Sequence, residues 1–439
     1  MRPASKLRVT LRALESRNFR LFFIGQTVSL VGTWIQQIAM SWLVYRLTNS
    51  PFVLGAVGFA GQLPSFLVAP FAGVLADRWD RRRTVVGTQV LSMVQALVLA
   101  ALVFSGRVEV WHVMALSVFL GIVNAADVPT RQSFLVEMVE DRELLANAIA
   151  LNSSMFNAAR LVGPALAGIV IAAVGEGICF LLNGLSYIAV IAALLAMRVP
   201  PREIPLGRPR LLGHLREGFD YAWGVEPIRI VLLLLAITSV VGVPYTVLMP
   251  VFATRVLNGG ADTLGLLMAA TGLGALAGAL YLASRESVLG LGRLIAVASG
   301  VFGVGLIAFA ASRTLWLSLP LLVVTGFGMM VQMAASNTVL QTVVDEDKRG
   351  RIMALYTMAY LGMIPFGSLL AGILADGLGA PETIALGGAL SLAGTLYFLS
   401  RLPRLQAQIR PADRSAGIVP EVATGLQTAS SLMVPPKRP

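Results

Sequence analysis

Charge is what this chain has least of. Asp, Glu, Lys and Arg make up 13% of its 439 residues, roughly half the share of an ordinary soluble domain, too little for a water-facing surface. Cysteine is nearly absent: Cys179 stands alone, which excludes an intrachain disulfide. The two histidines, His112 and His214, have no metal-ligand spacing to each other or to Cys179, so no metal site is expected. No G-x-x-x-x-G-K-[ST] run occurs, which argues against nucleotide-driven transport. Nor is there a Cys-His pair, an HExxH or a carboxylate dyad in an apolar run from which to build an active site. The expectation is a non-enzyme with no catalytic residues and no cofactor. The formal net charge of +11 does not point to nucleic acid, because the basic residues are scattered between apolar runs instead of gathered on one face.

What is present in quantity is apolar sequence, 56% of the chain. It comes in runs of about 20 residues without the alternation of a barrel strand, which in lipid means helices. The pattern predicts an all-α membrane protein with spans at 19–45, 52–76, 84–104, 110–130, 147–173, 178–198, 229–254, 263–283, 292–311, 315–341, 352–375 and 382–401. The basic N-terminus runs into the first of these with no small-residue cleavage site, so that span reads as uncleaved. Pro64, Pro70, Pro129, Pro164, Pro244, Pro250, Pro320 and Pro365 fall within or at the ends of spans, where neighbouring helices can compensate a lost hydrogen bond, and predict kinks. With the N-terminus inside, the outer loops hold only Arg46, Arg107, Arg255 and Arg313, and Arg160 lies in a span. The other 29 of 34 basic residues then fall on the cytoplasmic side. Both termini are expected there, and the number of spans is even.

The predicted order is a cytoplasmic segment 1–18, a six-helix bundle 19–198, a linker 199–228, a second six-helix bundle 229–401, and a disordered cytoplasmic tail 402–439. In the linker, Leu212, Leu215, Phe219 and Ala222 share a helical face. They predict an amphipathic helix on the membrane surface, with a plain linker as the alternative. Placing 139–175 over 343–379 matches ten of 37 positions without gaps, among them Gly163 with Gly367, 166–169 with 370–373, and Gly175 with Gly379. Two six-helix halves related by an axis along the membrane normal are the architecture of one class of transporters, in which the substrate site lies between the halves near the midplane.

The run Gly73-Val74-Leu75-Ala76-Asp77-Arg78-Trp79-Asp80-Arg81-Arg82 resembles G-x-L-A-D-R-x-G-R-K, the signature of the loop between helices two and three of the major facilitator superfamily. Asp80 replaces the family's glycine, and Asp tolerates positive φ. The resemblance implies that Gly73, Asp77, Arg78, Arg81 and Arg82 form a cytoplasmic gate that latches the two halves; charge anchoring alone also explains Arg82 and Arg83. Asn124-Ala125-Ala126-Asp127-Val128-Pro129-Thr130-Arg131-Gln132, then 147–153 and 179–183, are similar to the branch containing the enterobactin exporter and macrolide efflux proteins, the transmembrane secretion effector type. Asp127 and Arg131, one turn apart, can pair with each other or with Arg81 in gate electrostatics.

Gly163-Pro164-Ala165-Leu166-Ala167-Gly168 resembles the antiporter signature ending in G-P-x-x-G-G, with Ala167 and Ala159 in place of two of its glycines. Close helix contact is an equally complete explanation of Gly163, Pro164 and Gly168. Arg160 lies mid-span, where an arginine costs roughly 2.5–3.5 kcal/mol on insertion scales. It is expected to face a cavity, with Asn157, and to contact an anionic or polar substrate; a buried structural pair is the alternative. Gln26, Thr33, Gln36, Gln37, Gln62, Gln332 and Asn337 are candidates for the cavity wall, or for helix-to-helix hydrogen bonds.

The resemblance implies a monomeric exporter of siderophore- or drug-like molecules in the cytoplasmic membrane, with membrane lipids as its surroundings and proton antiport as its drive. The first span has no carboxylate, and Asp127 falls near the end of the fourth, so the residues leave the coupling ion open. An importer or a lysophospholipid flippase of the same fold is the alternative. A membrane sensor is less favoured, because neither 199–228 nor 402–439 can fold a soluble module.

Overall fold

The computed structural model describes residues 11–76, 80–139, 142–198, 211–285, 290–346 and 348–416, with backbone alone at 68–76, 142–143, 211–216 and 404–416. Every regular element among them is helical, because unalternating apolar runs of this length satisfy their peptide groups in lipid within a helix. The order is α1 Arg17–Thr48, α2 Pro51–Ala76, α3 Arg81–Phe104, α4 Val110–Met138, α5 Arg142–Val174, α6 Glu176–Ala196, α7 Leu211–Gly224, α8 Glu226–Ile237, α9 Ala261–Ala283, α10 Leu291–Ala311, α11 Leu315–Val343, α12 Arg349–Tyr360, α13 Ile364–Leu378 and α14 Ala380–Ala416. Among the described residues ten stretches are long and apolar enough to cross a membrane, counting Glu226–Val256 and Arg349–Leu378 as one each. α2 adds a shorter apolar helix over Pro51–Leu67, and α1 is 32 residues long.

Two compact units emerge, one of residues 1–43 and 60–209, the other of 44–59 and 210–439. In the first, Phe19, Phe22, Phe134, Met138, Tyr187 and Leu194 gather in one buried cluster. In the second, Ile228, Leu235, Ile295, Ala335, Ile352 and Phe398 do the same. The internal repeat has a backbone counterpart. Gly175, between α5 and α6, and Gly379, between α13 and α14, both adopt positive φ, 85° and 103°, which glycine permits at no steric cost. Asn49 after α1 and Asn258 after the seventh span pair in the same way, at 50° and 52°; asparagine is among the few other residues that tolerate this region.

The prolines divide into two groups. Pro129, Pro164 and Pro320 sit inside continuous helices. Pro244 and Pro250 lie where the seventh span is broken, through a π turn at Thr238–Gly242 and a 3₁₀ turn at Val243–Thr246. Pro365 opens α13 just after the break from α12.

Three boundaries differ from expectation for physical reasons. α4 runs to Met138 instead of ending near 130, because Thr130 returns its hydroxyl to Ala126 O at 2.7 Å and Arg131 pairs with Asp127 at 3.0 Å. Polar residues that looked like a loop are satisfied within the helix. Asp80 has φ −61°, not a positive value, and caps α3 by accepting the Arg83 N–H at 2.9 Å. Here Asp80→Ala is expected to cost about 1 kcal/mol and Asp80→Gly only a few tenths, read as the order of melting temperatures in detergent. α14 continues to Ala416, well past 401, while 417–439 lie outside the described residues.

In the linker α7 is present. Ala222 is buried, whereas Phe219 is exposed and stacked on Trp223 with centroids 5.2 Å apart; Leu212 and Leu215 have no described side chains. The helix is tied to the first turn of α12 by Glu217–Arg351 at 2.8 Å and to the segment before it by the Tyr221 hydroxyl donating to Asp345 at 3.1 Å. Burial, and next the hydrogen bond to Asp345, push the Tyr221 phenol above its ordinary pKa.

Candidate functional site

Arg160 is held by the crossing of α5 over α1. At Gly163 a Cβ would collide with Trp34 Cβ and stand 3.3 Å from Val31 O. Only glycine lets the helices approach this closely, and the approach sets the Trp34 ring beneath Arg160, 6.0 Å from the guanidinium carbon. Gly367, the repeat partner, makes the same approach to Val240 O in the second unit, so the crossing is part of the repeat and the charge is not, Arg160 being matched by Ile364. Pro164, Ala167 and Gly168 continue the buried face of α5, a packing role.

Among the described residues Arg160 has no carboxylate partner and no hydrogen bond. Its one contact of that kind is the Trp34 ring, and a cation over an aromatic face gains about 0.5–2 kcal/mol. Five N–H donors in a planar fork are thus left for an external acceptor, a geometry that suits carboxylate or phosphate. Asn157 turns back on its own helix, donating to Ser153 O at 2.9 Å.

The expected polar set separates. Gln36 is buried, donating to Gln95 at 2.9 Å and accepting from Asn183 at 2.8 Å, so hydrogen bonding between helices accounts for it. Thr33 donates to Ser29 O at 2.9 Å. Gln26 is buried with its Oε1 unpartnered, and Gln37 and Gln62 are exposed. In the second unit Gln332 donates to Thr238 at 2.9 Å, leaving its Oε1 unpartnered, and Asn337 accepts from Gln341.

The gate set separates too. Arg81 reaches Glu137 at 2.7 Å and Ser133 O at 3.3 Å on α4, not Asp127. Arg82 donates to Leu194 O and Leu195 O at 2.9 and 2.8 Å, neutralising the carbonyl end of α6. Asp127 accepts from Thr88 at 2.7 Å and Gln89 at 2.8 Å as well as from Arg131 at 3.0 Å. Arg131 also stands 5.6 Å over the Phe156 ring. Gly73 lies in α2 with backbone alone described, and Asp77 and Arg78 lie outside the described residues.

Sequence reasoning missed Glu137 and a buried polar stripe on α3, Thr88, Gln89, Ser92 and Gln95, which faces Asn183, Ser186 and Tyr187 on α6. The signal was available, since 88, 92 and 95 repeat at helical spacing.

The tip joining α1 to α2, Val44–Phe59, belongs to the second unit. Arg255 donates to Asn49 O at 2.6 Å and to Asn49 Oδ1 at 3.2 Å, and lies 5.8 Å over the Tyr45 ring. A Cβ on Gly55 would stand 2.5 Å from Ser368 O, and Phe59 meets Phe366 edge-on at 5.8 Å.

A repeated glycine crossing and a mid-span arginine without a carboxylate partner among the described residues fit a helical membrane transporter. The family model described as transmembrane secretion effector, a major facilitator family, matches residues 9–434, and the chain belongs to that family. It is 26% identical over 394 residues to the staphyloferrin A transporter of Staphylococcus aureus, covering 89% of this chain and 98% of the relative. It is 27% identical over 390 residues to the multidrug efflux pump Tap of Mycolicibacterium fortuitum, covering 87% and 95%. The crystal structure of a POT family transporter in complex with 5-aminolevulinic acid superposes with a TM-score of 0.71 at 11% identity, covering 89% and 97% of the two chains, which supports the fold alone. The protein is a multi-pass transporter of the plasma membrane.

Proposed function

We propose that this chain is a monomeric exporter of siderophore- or drug-like small molecules, working by alternating access in exchange for protons. On this reading it has twelve spans in two six-helix halves, with both termini cytoplasmic and the Asp77–Arg81 region as the cytoplasmic gate. The uncompensated Arg160 carries the proposal. A cation left mid-span at a cost of roughly 2.5–3.5 kcal/mol, over an aromatic ring and with free donors, is what recognition of an anionic or polar substrate needs. The relatives' names, a siderophore transporter and a multidrug pump, set the range of substrates.

Accumulation of candidate siderophores and hydrophobic drugs, measured in cells expressing the protein with and without a protonophore, tests the direction and the drive. Lower accumulation that a protonophore restores is expected. Raised accumulation would turn the reading to import, and efflux indifferent to the protonophore would remove the antiport.

A further inference from the structure

The full length of α4 changes what Asp127 can be. Asp127 follows Val110 by 17 residues and precedes Met138 by 11, about 26 Å and 17 Å along the axis. The carboxyl group therefore lies deep in the helix, not at its end. It is 3% exposed. Among the described residues it is the only buried carboxylate more than one turn from a helix end.

Its hydrogen bonds accommodate two protonation states. The Thr88 hydroxyl lies 2.7 Å from Asp127 Oδ1 and 2.9 Å from Val85 O, and its single proton serves one acceptor at a time. With the carboxylate ionised, that proton points to Oδ1. With Oδ1 protonated, the hydroxyl turns to Val85 O and accepts the new proton. Gln89 donates to Oδ1 at 2.8 Å in both states. Arg131 keeps its bond to Oδ2 as that atom becomes a carbonyl, and the Phe156 ring beneath the guanidinium supports the charge that loses its partner. Neither state leaves a buried group orphaned, the usual obstacle to titrating a buried acid.

Polar groups lie close by: Tyr187 on α6 is buried near Asp127, Ser92, Thr33 and Asn183, and Asn183, Gln36 and Gln95 are bonded together. The charged and titratable groups around Asp127 are few. Arg131 shares its helix, Tyr187 comes from α6, Arg81 of α3 is held nearer the helix end by Glu137, and Arg160 lies one turn beyond Phe156 on α5. α1 contributes the neutral Thr33 and Gln36.

We propose that Asp127 is the proton-binding site of this transporter. The carboxylate takes one proton from water on one side, converting its ion pair with Arg131 into a hydrogen bond from the still-charged guanidinium to a neutral carboxylic acid, and releases it to the other side when the pair re-forms. The coupling role rests on the antiport reading; proton binding itself does not.

The purified full-length protein in phosphatidylethanolamine and phosphatidylglycerol vesicles, titrated with protons alone, tests this by infrared difference spectroscopy between acid and alkaline pH. A carboxylic-acid carbonyl band is expected that is missing in Asp127→Asn and whose midpoint moves by at least about one pH unit, a tenfold change in proton affinity, in Thr88→Val. A band retained in Asp127→Asn overturns the assignment, as does an unmoved midpoint in Thr88→Val. Should Asp127→Asn fail to fold, Asp127→Glu must show the band displaced, and an undisplaced band counts against the site. If wild-type efflux proves indifferent to a protonophore, the antiport reading falls while this titration still decides the site.

Discussion

Gly55→Leu is expected to abolish transport while leaving a folded protein in the membrane. The position has no room for a side chain: a Cβ would stand 2.5 Å from Ser368 O and 2.9 Å from Gly372 Cα, both backbone atoms of α13. Overpacking of this kind costs about 1–3 kcal/mol or more, and it falls on the packing of the α1–α2 tip against α13, both within the second unit. A penalty of about 3 kcal/mol shifts a two-state equilibrium by more than a hundredfold, enough to undock the tip. Gly372→Leu meets Pro51 O at 2.8 Å and is expected to behave alike. Transport assayed at matched membrane abundance, with melting temperature alongside, checks this. Wild-type turnover in Gly55→Leu would show that the tip stays docked throughout the cycle, or that its packing gives way easily.

Gly163→Leu is expected to be worse, because here stability and substrate recognition fail together. The added Cβ collides with Trp34 Cβ, on a rigid crossing where Val31 O closes the other side. α1 must move away from α5, and the Trp34 ring leaves its place beneath Arg160. A fall of several degrees in melting temperature and loss of efflux are expected. The double change Gly163→Leu with Trp34→Gly should recover much of the stability, since it removes the Cβ struck, and contacting residues are where additivity fails. It should not recover transport, because the ring under Arg160 is gone. Recovery of both would reduce Trp34 to a spacer.

The apolar runs place the helices well, because a segment of about 20 residues that can meet lipid reads as itself. They place the ends poorly. α4 passes through Asp127, Thr130 and Arg131 because Thr130 and Arg131 find partners within α4 itself and Asp127 also on α3, and no apolar pattern announces either. That continuation moves Asp127 from a helix end to the interior, and with it the case for a proton site. The repeat is legible in the glycines, and the positive φ of Gly175 and Gly379 and the matched crossings at Gly163 and Gly367 give it a physical reason. Arg160 stands out in sequence as a charge in an apolar run, and its lack of a partner sharpens that signal. The glutamines are less legible, since Gln36 in a hydrogen-bonded interior and Gln37 on an exposed face look alike one position apart. Arg81 and Arg82 likewise read as one basic cluster, yet one pairs with Glu137 and the other caps α6.

Efflux by Arg160→Ala and Arg160→Lys, set beside the wild type at equal membrane abundance and with carboxylate-bearing and uncharged compounds, is the most direct test of the functional reading. Loss of efflux of the carboxylate-bearing compounds in Arg160→Ala, with partial return in Arg160→Lys, which restores the charge but not the planar fork, is the predicted result. Unchanged efflux of every compound in Arg160→Ala would contradict it and make Arg160 a structural partner of Trp34.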